Sequence, residues 1–512
     1  MRAEDGKPMQ PRLANVLLFI AAAGLARSAL AADTAAAAPP PERAQGLIVL
    51  DYQSIPVRGY PSIDLAGVHV LNQFNDWLYG GVGAHAPLFK GAYGGFMSFD
   101  ATLHAQADVA GRLYADAGVS YGGGGGGNSV SQSRVISGSG AFAKAYAGLG
   151  WHFDDFSAGL NVSYLRFSQS VIHGTQLDLA VQVPFSYART PYASTGHASG
   201  GTRAADAPAD DNTLMFGLDN FIQVKPKGTF KGTVNLADVQ FNHFLTDHTY
   251  ALVEGSVGVR GLPIYNQLLG GVGYRATLSR DVDVYGQVAV GSGGYDPQQF
   301  DTGPGLLVYP KVFGEYRVGD HLGLALSAGY LFAPRGTSRN LTVGAALNYH
   351  LSGRGGAGEG VSSGYRIDVF QQSELHPKIG DRTQGVLRLL TTQVDDVLSD
   401  NVYVPIQAGI ATSRYLGYPG YGEALTGLGL QTTHSADQPF QAFAQLVAGI
   451  NVHGVIAKPA IGANYALSDR LAIYAQVGKT TSVNVAHLYP ARYRFEATNV
   501  GLGLTYRFSL PG

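Results

Sequence analysis

The segment NVGLGLTYRF, ending at Phe508, alternates without a break. Val500, Leu502, Leu504, Tyr506 and Phe508 fall on one face, and Gly501, Gly503, Thr505 and Arg507 on the other. Successive side chains of a strand point to opposite sides, so period two marks a strand with one apolar face. LGLALSAGYLF repeats the form with Leu322, Leu324, Leu326, Ala328 and Tyr330. TQLDLAVQVPFSY does so with Leu177, Leu179, Val181, Val183, Phe185 and Tyr187. Strands of soluble sheets average about 5–6 residues. These runs are about twice that, matching the ~9–11 tilted residues that cross a bilayer. The pattern predicts an all-β chain folded as a transmembrane antiparallel β-barrel.

The rest of the 512-residue sequence fits that class. It carries no cysteine, which excludes a thiol nucleophile, a Cys-ligated zinc and a disulfide framework. Only 14% of residues are charged and the net charge is −2, so no basic surface points to nucleic acid. Arg2, Lys7 and Arg12 precede the apolar run LANVLLFIAAAGLA, and ALA follows at Ala29 to Ala31. This order of basic, apolar and small residues reads as a secretory signal peptide over residues 1–31. The apolar run is shorter than the ~20 residues of a spanning helix. Residues 32–45 read as a disordered leader.

The last strand is similar to the C-terminal insertion signal of Gram-negative outer-membrane β-barrels, in which an aromatic residue usually ends the chain. Val500, Leu502, Leu504, Tyr506 and Phe508 carry the match, and SLPG after Phe508 displaces it from the terminus. The resemblance is to such barrels in general. It implies location in the bacterial outer membrane after secretory export, with outer-membrane lipid and the barrel-assembly machinery as partners.

Turn chemistry divides the barrel into three units. NQFNDW, FLTDHT and VLSDNV bring Asp76, Asp247 and Asp400 into register. FDDF, RVGDH and ALSDR align Asp155, Asp320 and Asp469. Aspartate suits tight turns because its carboxylate caps backbone N–H groups. Eight strands each are expected over residues 46–187, 214–351 and 365–508, with a polar linker at 188–213, a Gly-rich linker at 352–364 and a tail at 509–512. The even-to-odd connections are short and the odd-to-even ones mostly long, including YGGGGGGNSVSQS after the fifth strand. Short turns on the periplasmic side and long extracellular loops orient such barrels. The inward positions Gly323, Ala325, Ser327, Gly329, Gly501, Gly503 and Thr505 are small. Small residues underfill a narrow barrel, so about 24 strands in one wide barrel are expected. Three tandem eight-stranded barrels are the alternative.

No catalytic, cofactor or metal residues are assigned from sequence. His197 with Ser199, and His434 with Ser435 and Asp437, fall on the expected periplasmic side. His173 and His487 lack a paired acid or serine nearby. Asp296 with Asp301 offers too few oxygens for calcium, and Asp395 with Asp396 reads as a strand edge. The six glycines lack the Lys-Ser/Thr of a phosphate loop. A sparsely charged lumen suits a channel or exporter for a large or uncharged solute, such as a secreted polysaccharide, with a neutral polymer as substrate and a periplasmic export partner. Tyr121, Tyr415, Tyr418 and Tyr421 are the candidate glycan contacts. A structural or adhesive surface barrel with an occluded lumen, and a barrel enzyme, are the other readings.

Overall fold

The computed structural model describes residues 42–126, 138–195, 212–262, 265–350, 363–417, 419–433, 438–483 and 494–510. The signal-peptide and leader assignments lie outside these residues up to position 41. So do most of both linkers and His197, Ser199, His434, Ser435, Asp437 and His487.

The chain forms three closed antiparallel barrels rather than one. The first consists of β1 (Glu42–Val57), β2 (Tyr60–Gln73), β3 (Leu78–Ala86), β4 (Met97–Ala110), β5 (Leu113–Gly125), β6 (Ala141–His152), β7 (Ser157–Phe167) and β8 (His173–Arg189). The second runs from a first strand Thr213–Gln223 to an eighth strand Arg339–His350. The third runs from Ser363–Ile379 to Phe495–Leu510, with a two-residue strand Arg382–Thr383 added to its first strand. Each eighth strand returns to the first strand of its own unit, pairing Leu50 with Val181, Leu218 with Ala345 and Ile367 with Tyr506.

The single wide barrel is thus corrected, and the reason lies in the small inward residues. They are the footprints of large neighbours. A Cβ on Gly323 would meet the Glu315 carboxylate at 1.8 Å, and one on Gly429 would meet the Tyr403 ring at 2.0 Å. The space left by a glycine on one strand is filled by a long side chain from the next. Alternating small and large residues fill a narrow barrel in this way.

The short turns gather at one end of each barrel, the turn end, together with the first and last residues of that barrel. The longer connections form the loop end. Several turns are capped by the residue before the expected aspartate. Asn75 Oδ1 accepts from the Leu78 N–H at 2.9 Å, Thr246 Oγ1 from the Thr249 N–H at 2.9 Å, and Ser468 Oγ from the Leu471 N–H at 3.1 Å.

The barrels touch side by side. At the loop end the Ser292 hydroxyl donates to the Pro87 carbonyl at 2.7 Å, and the Gly94 N–H donates to the Gly303 carbonyl at 3.0 Å. These bonds join the first barrel to the second. Arg414 Nε donates to the Gly138 carbonyl at 2.9 Å, joining the third to the first. The polyglycine run lies at that contact: a Cβ on Gly123 would be 2.4 Å from the Ala411 carbonyl oxygen. At the turn end Thr190 and Ser509 exchange backbone hydrogen bonds at 2.8 and 3.1 Å, and Arg470 bonds Glu42.

Candidate functional site

Wall and lumen have opposite polarity. Leu326 is 72% exposed on the outer face, and Leu177, Leu502, Val312 and Leu160 are similarly bare. The lumens hold buried charge. Each has one lysine on its sixth strand. In the first barrel Lys144 bonds Asp51 and lies 2.6 Å from Asp178. In the second Lys311 lies 2.8 Å from Glu254 and 3.6 Å from Asp219. In the third Lys458 bonds Glu423 and donates to Gln407 at 2.9 Å. Arg366 adds a pair with Asp395 at 2.7 Å in that barrel.

Hydrophobic clusters close the lumens toward the loop end. Ile55, Ile63, Phe96, Phe142, Leu165 and Phe167 fill the first barrel there, and Ile379, Leu387, Tyr415, Tyr421 and Phe495 the third. At the turn end of the third barrel the plug comes from elsewhere in the chain. A short 3-10 turn after β8, Tyr192–Ser194, buries the Tyr192 ring among Phe370, Val397 and Tyr403. Arg507 lies over that ring at 5.5 Å, and the Thr195 and Ser509 hydroxyls share a bond of 2.7 Å.

Of the sequence-assigned glycan contacts, Tyr121, Tyr415 and Tyr421 lie among the described residues. Tyr121 is exposed on the outer wall of the first barrel. Tyr415 and Tyr421 are corrected: both are buried within the cap of the third barrel, where Tyr415 bonds His453 and the Tyr421 ring stacks on Phe495 at 5.9 Å. Burial takes up the faces a sugar would need. Tyr418 lies outside the described residues. Val500, Leu502 and Leu504 are exposed on the outer wall, while Tyr506 and Phe508 lie toward the first barrel, near Phe74 and Tyr187. Asp296 and Asp301 brace their loop, accepting from the Gln298 and Gly303 backbones.

The first lumen holds a cluster not assigned from sequence. Strand register puts Asp51 opposite Gly67 and Gly67 opposite His85. It also puts His69 opposite Gly83 and Gly83 opposite Asp100. Directly opposed residues face the same side, so both rows point into the lumen. The glycines make the room. A Cβ on Gly67 would be 1.7 Å from Asp51 Oδ1, and one on Gly83 would be 2.0 Å from the His69 ring. The two imidazoles meet edge to face at 4.9 Å. Asp100 spans them, 3.3 Å from His69 Nε2 and 3.2 Å from His85 Nδ1. The ligand atoms of Asp51, His69 and His85 lie within 4.8 Å of one another, all buried. The sequence signal was the repeated Gly-x-His on adjacent strands, Gly67-Val68-His69 and Gly83-Ala84-His85.

No protein-family model matches the chain, and no curated protein matches it. Solved structures similar to it are membrane barrels. A de novo designed transmembrane β-barrel is 14% identical over 27% of this chain and 95% of its own, with a TM-score of 0.20. A mutant ferric enterobactin receptor from Pseudomonas aeruginosa is 9% identical over 93% and 82%, at 0.28. A siderophore receptor from Acinetobacter baumannii is 10% identical over 93% and 81%, at 0.27. At TM-scores this low the likeness carries no functional argument.

Proposed function

We propose that the chain is an outer-membrane protein whose three sealed barrels stand side by side, with a structural or surface-presenting role. The inverted polarity carries this reading: apolar side chains cover the walls while Asp, Glu, Lys and Arg are buried inside. Hydrocarbon is the solvent that favours such a wall, and closed barrels satisfy every strand edge within it. The resemblance of the last strand to the outer-membrane insertion signal supports location there and delivery through the barrel-assembly machinery.

Passage of a large or uncharged solute, polysaccharide included, gains no support from these lumens. Eight-stranded barrels are just wide enough to be filled by side chains, and these are filled by ion pairs and apolar caps. Lumens filled in this way among the described residues lend no support to a neutral polymer or a periplasmic export partner. No catalytic role is proposed. Planar-bilayer recording of the purified protein tests the reading. Electrically silent insertion is expected, and a steady large conductance would overturn the sealed lumens and return the channel.

A further inference from the structure

We propose that the first barrel holds a single divalent transition-metal ion, of the zinc or cobalt kind, between Asp51, His69 and His85, with Asp100 as the carboxylate that orients the imidazoles.

Four observations converge. First, the donor set is of the right chemistry: two imidazoles and a carboxylate are the nitrogen and oxygen ligands that Zn²⁺ and Co²⁺ accept. Ligand atoms around one such ion lie roughly 3–4 Å apart, and a spread within 4.8 Å closes on an ion with small side-chain rotations. Second, two polar atoms at the cluster lack hydrogen bonds. Asp51 Oδ1 and His85 Nε2 are buried without a hydrogen-bond partner, while His69 Nε2 and His85 Nδ1 face the Asp100 carboxylate at 3.3 and 3.2 Å. Buried polar atoms are ordinarily satisfied, so such a pair calls for a partner of another kind. Lys144 bonds the other oxygen of Asp51, leaving Oδ1 for the ion.

Third, there is a charge to balance. A cavity of about 20 Å³ borders the cluster on the side of Asp51, His69 and His104 and is not lined by His85. Its wall carries Asp51, Asp116 and Asp178 against the single ammonium of Lys144, and Asp100 stands behind the imidazoles. A dication offsets carboxylate charge that one lysine leaves over. Fourth, the outer shell is built. Asp100 approaches both imidazoles and also accepts from the Thr102 hydroxyl at 2.6 Å. Metal-bound histidines characteristically give their second ring nitrogen to such a carboxylate. At the position of His85, the eighth residue of the third strand, the second and third barrels have Ser256 and Gly409.

The site is sealed, so the ion enters as the barrel closes. The test therefore refolds the untagged full chain into detergent micelles with Co²⁺ or Zn²⁺ present. Free metal is then removed by chelator and gel filtration, and bound metal is read by mass spectrometry and, for Co²⁺, by visible d–d absorption. About one equivalent is expected in the wild type. A loss of tenfold or more is expected in His69→Gln and His85→Gln. His104→Gln, a change in the same lumen but at a residue bonded to Tyr146, should keep the metal. Heat-modifiable gel migration confirms that each variant is folded. If a glutamine variant does not fold, Asp51→Asn is read in its place, and it should lose the metal likewise. A folded wild type that retains no metal overturns the proposal. So does equal retention in the folded variants.

Discussion

At the scale of single residues, the lumens are held by a few buried charges whose partners are specific. Lys144 is the ammonium shared by Asp51 and Asp178. Removing one partner of a buried pair leaves the other charge uncompensated, at a cost of about 3–5 kcal/mol. Lys144→Met should lower unfolding stability by that amount in urea titration, and adding Asp51→Asn and Asp178→Asn to it should restore most of the loss. His453 offers a separate readout at the loop end. It packs between Tyr415 and Phe495, and burial pushes its imidazole down to about 4. The unfolded chain takes up this proton near pH 6.5 and the folded one only near 4. Between those values the unfolded state binds more protons, so stability falls as pH drops from about 6.5 to 4, by at most about 3 kcal/mol. His453→Phe should flatten that slope in unfolding measured across the range. Above pH 7 it should change little.

At the scale of the strand, the outer face meets hydrocarbon and the inner face meets charge. Leu326 stands at mid-strand on the wall of the second barrel. Leu326→Arg should cost about 2–4 kcal/mol in lipid, by urea titration in vesicles, as a cation at the bilayer midplane does. Leu467→Arg, in a turn at the end of the third barrel, should cost much less. The strands were legible because alternation is a local property: Val500 to Phe508 reads the same in the sequence and on the wall. Closure was not legible, because pairing of Ile367 with Tyr506 rather than with a strand of another unit leaves no mark on either segment. Small inward residues misled for a related reason. Gly323 looks like lumen lining until Glu315, on the neighbouring strand, is seen to fill its place. The histidine cluster was written in the sequence as two Gly-x-His triplets, but its meaning depends on Asp51 and Asp100 arriving from outside them. Tyr415 and Tyr421 look like exposed loop aromatics for the same want of context; only the fold turns them inward.

At the scale of the whole molecule, the polyglycine segment serves the packing of barrels. Gly123, still within β5, lets the backbone of the first barrel approach that of the third. Gly123→Val should leave each barrel closed yet loosen the pair, so limited proteolysis should release the third barrel more readily while heat-modifiable migration persists. The turn end couples the same two barrels through the Thr190–Ser509 bridge, and Glu42 pairs with Arg189 beside it. The first described residues therefore lie next to the last. Joining residue 510 to residue 42 and reopening the chain between the first and second barrels would make a circular permutant with every wall unchanged. In that molecule the aromatic strand would sit mid-chain. Its fate in the membrane would separate what the strand says from where in the chain it is said.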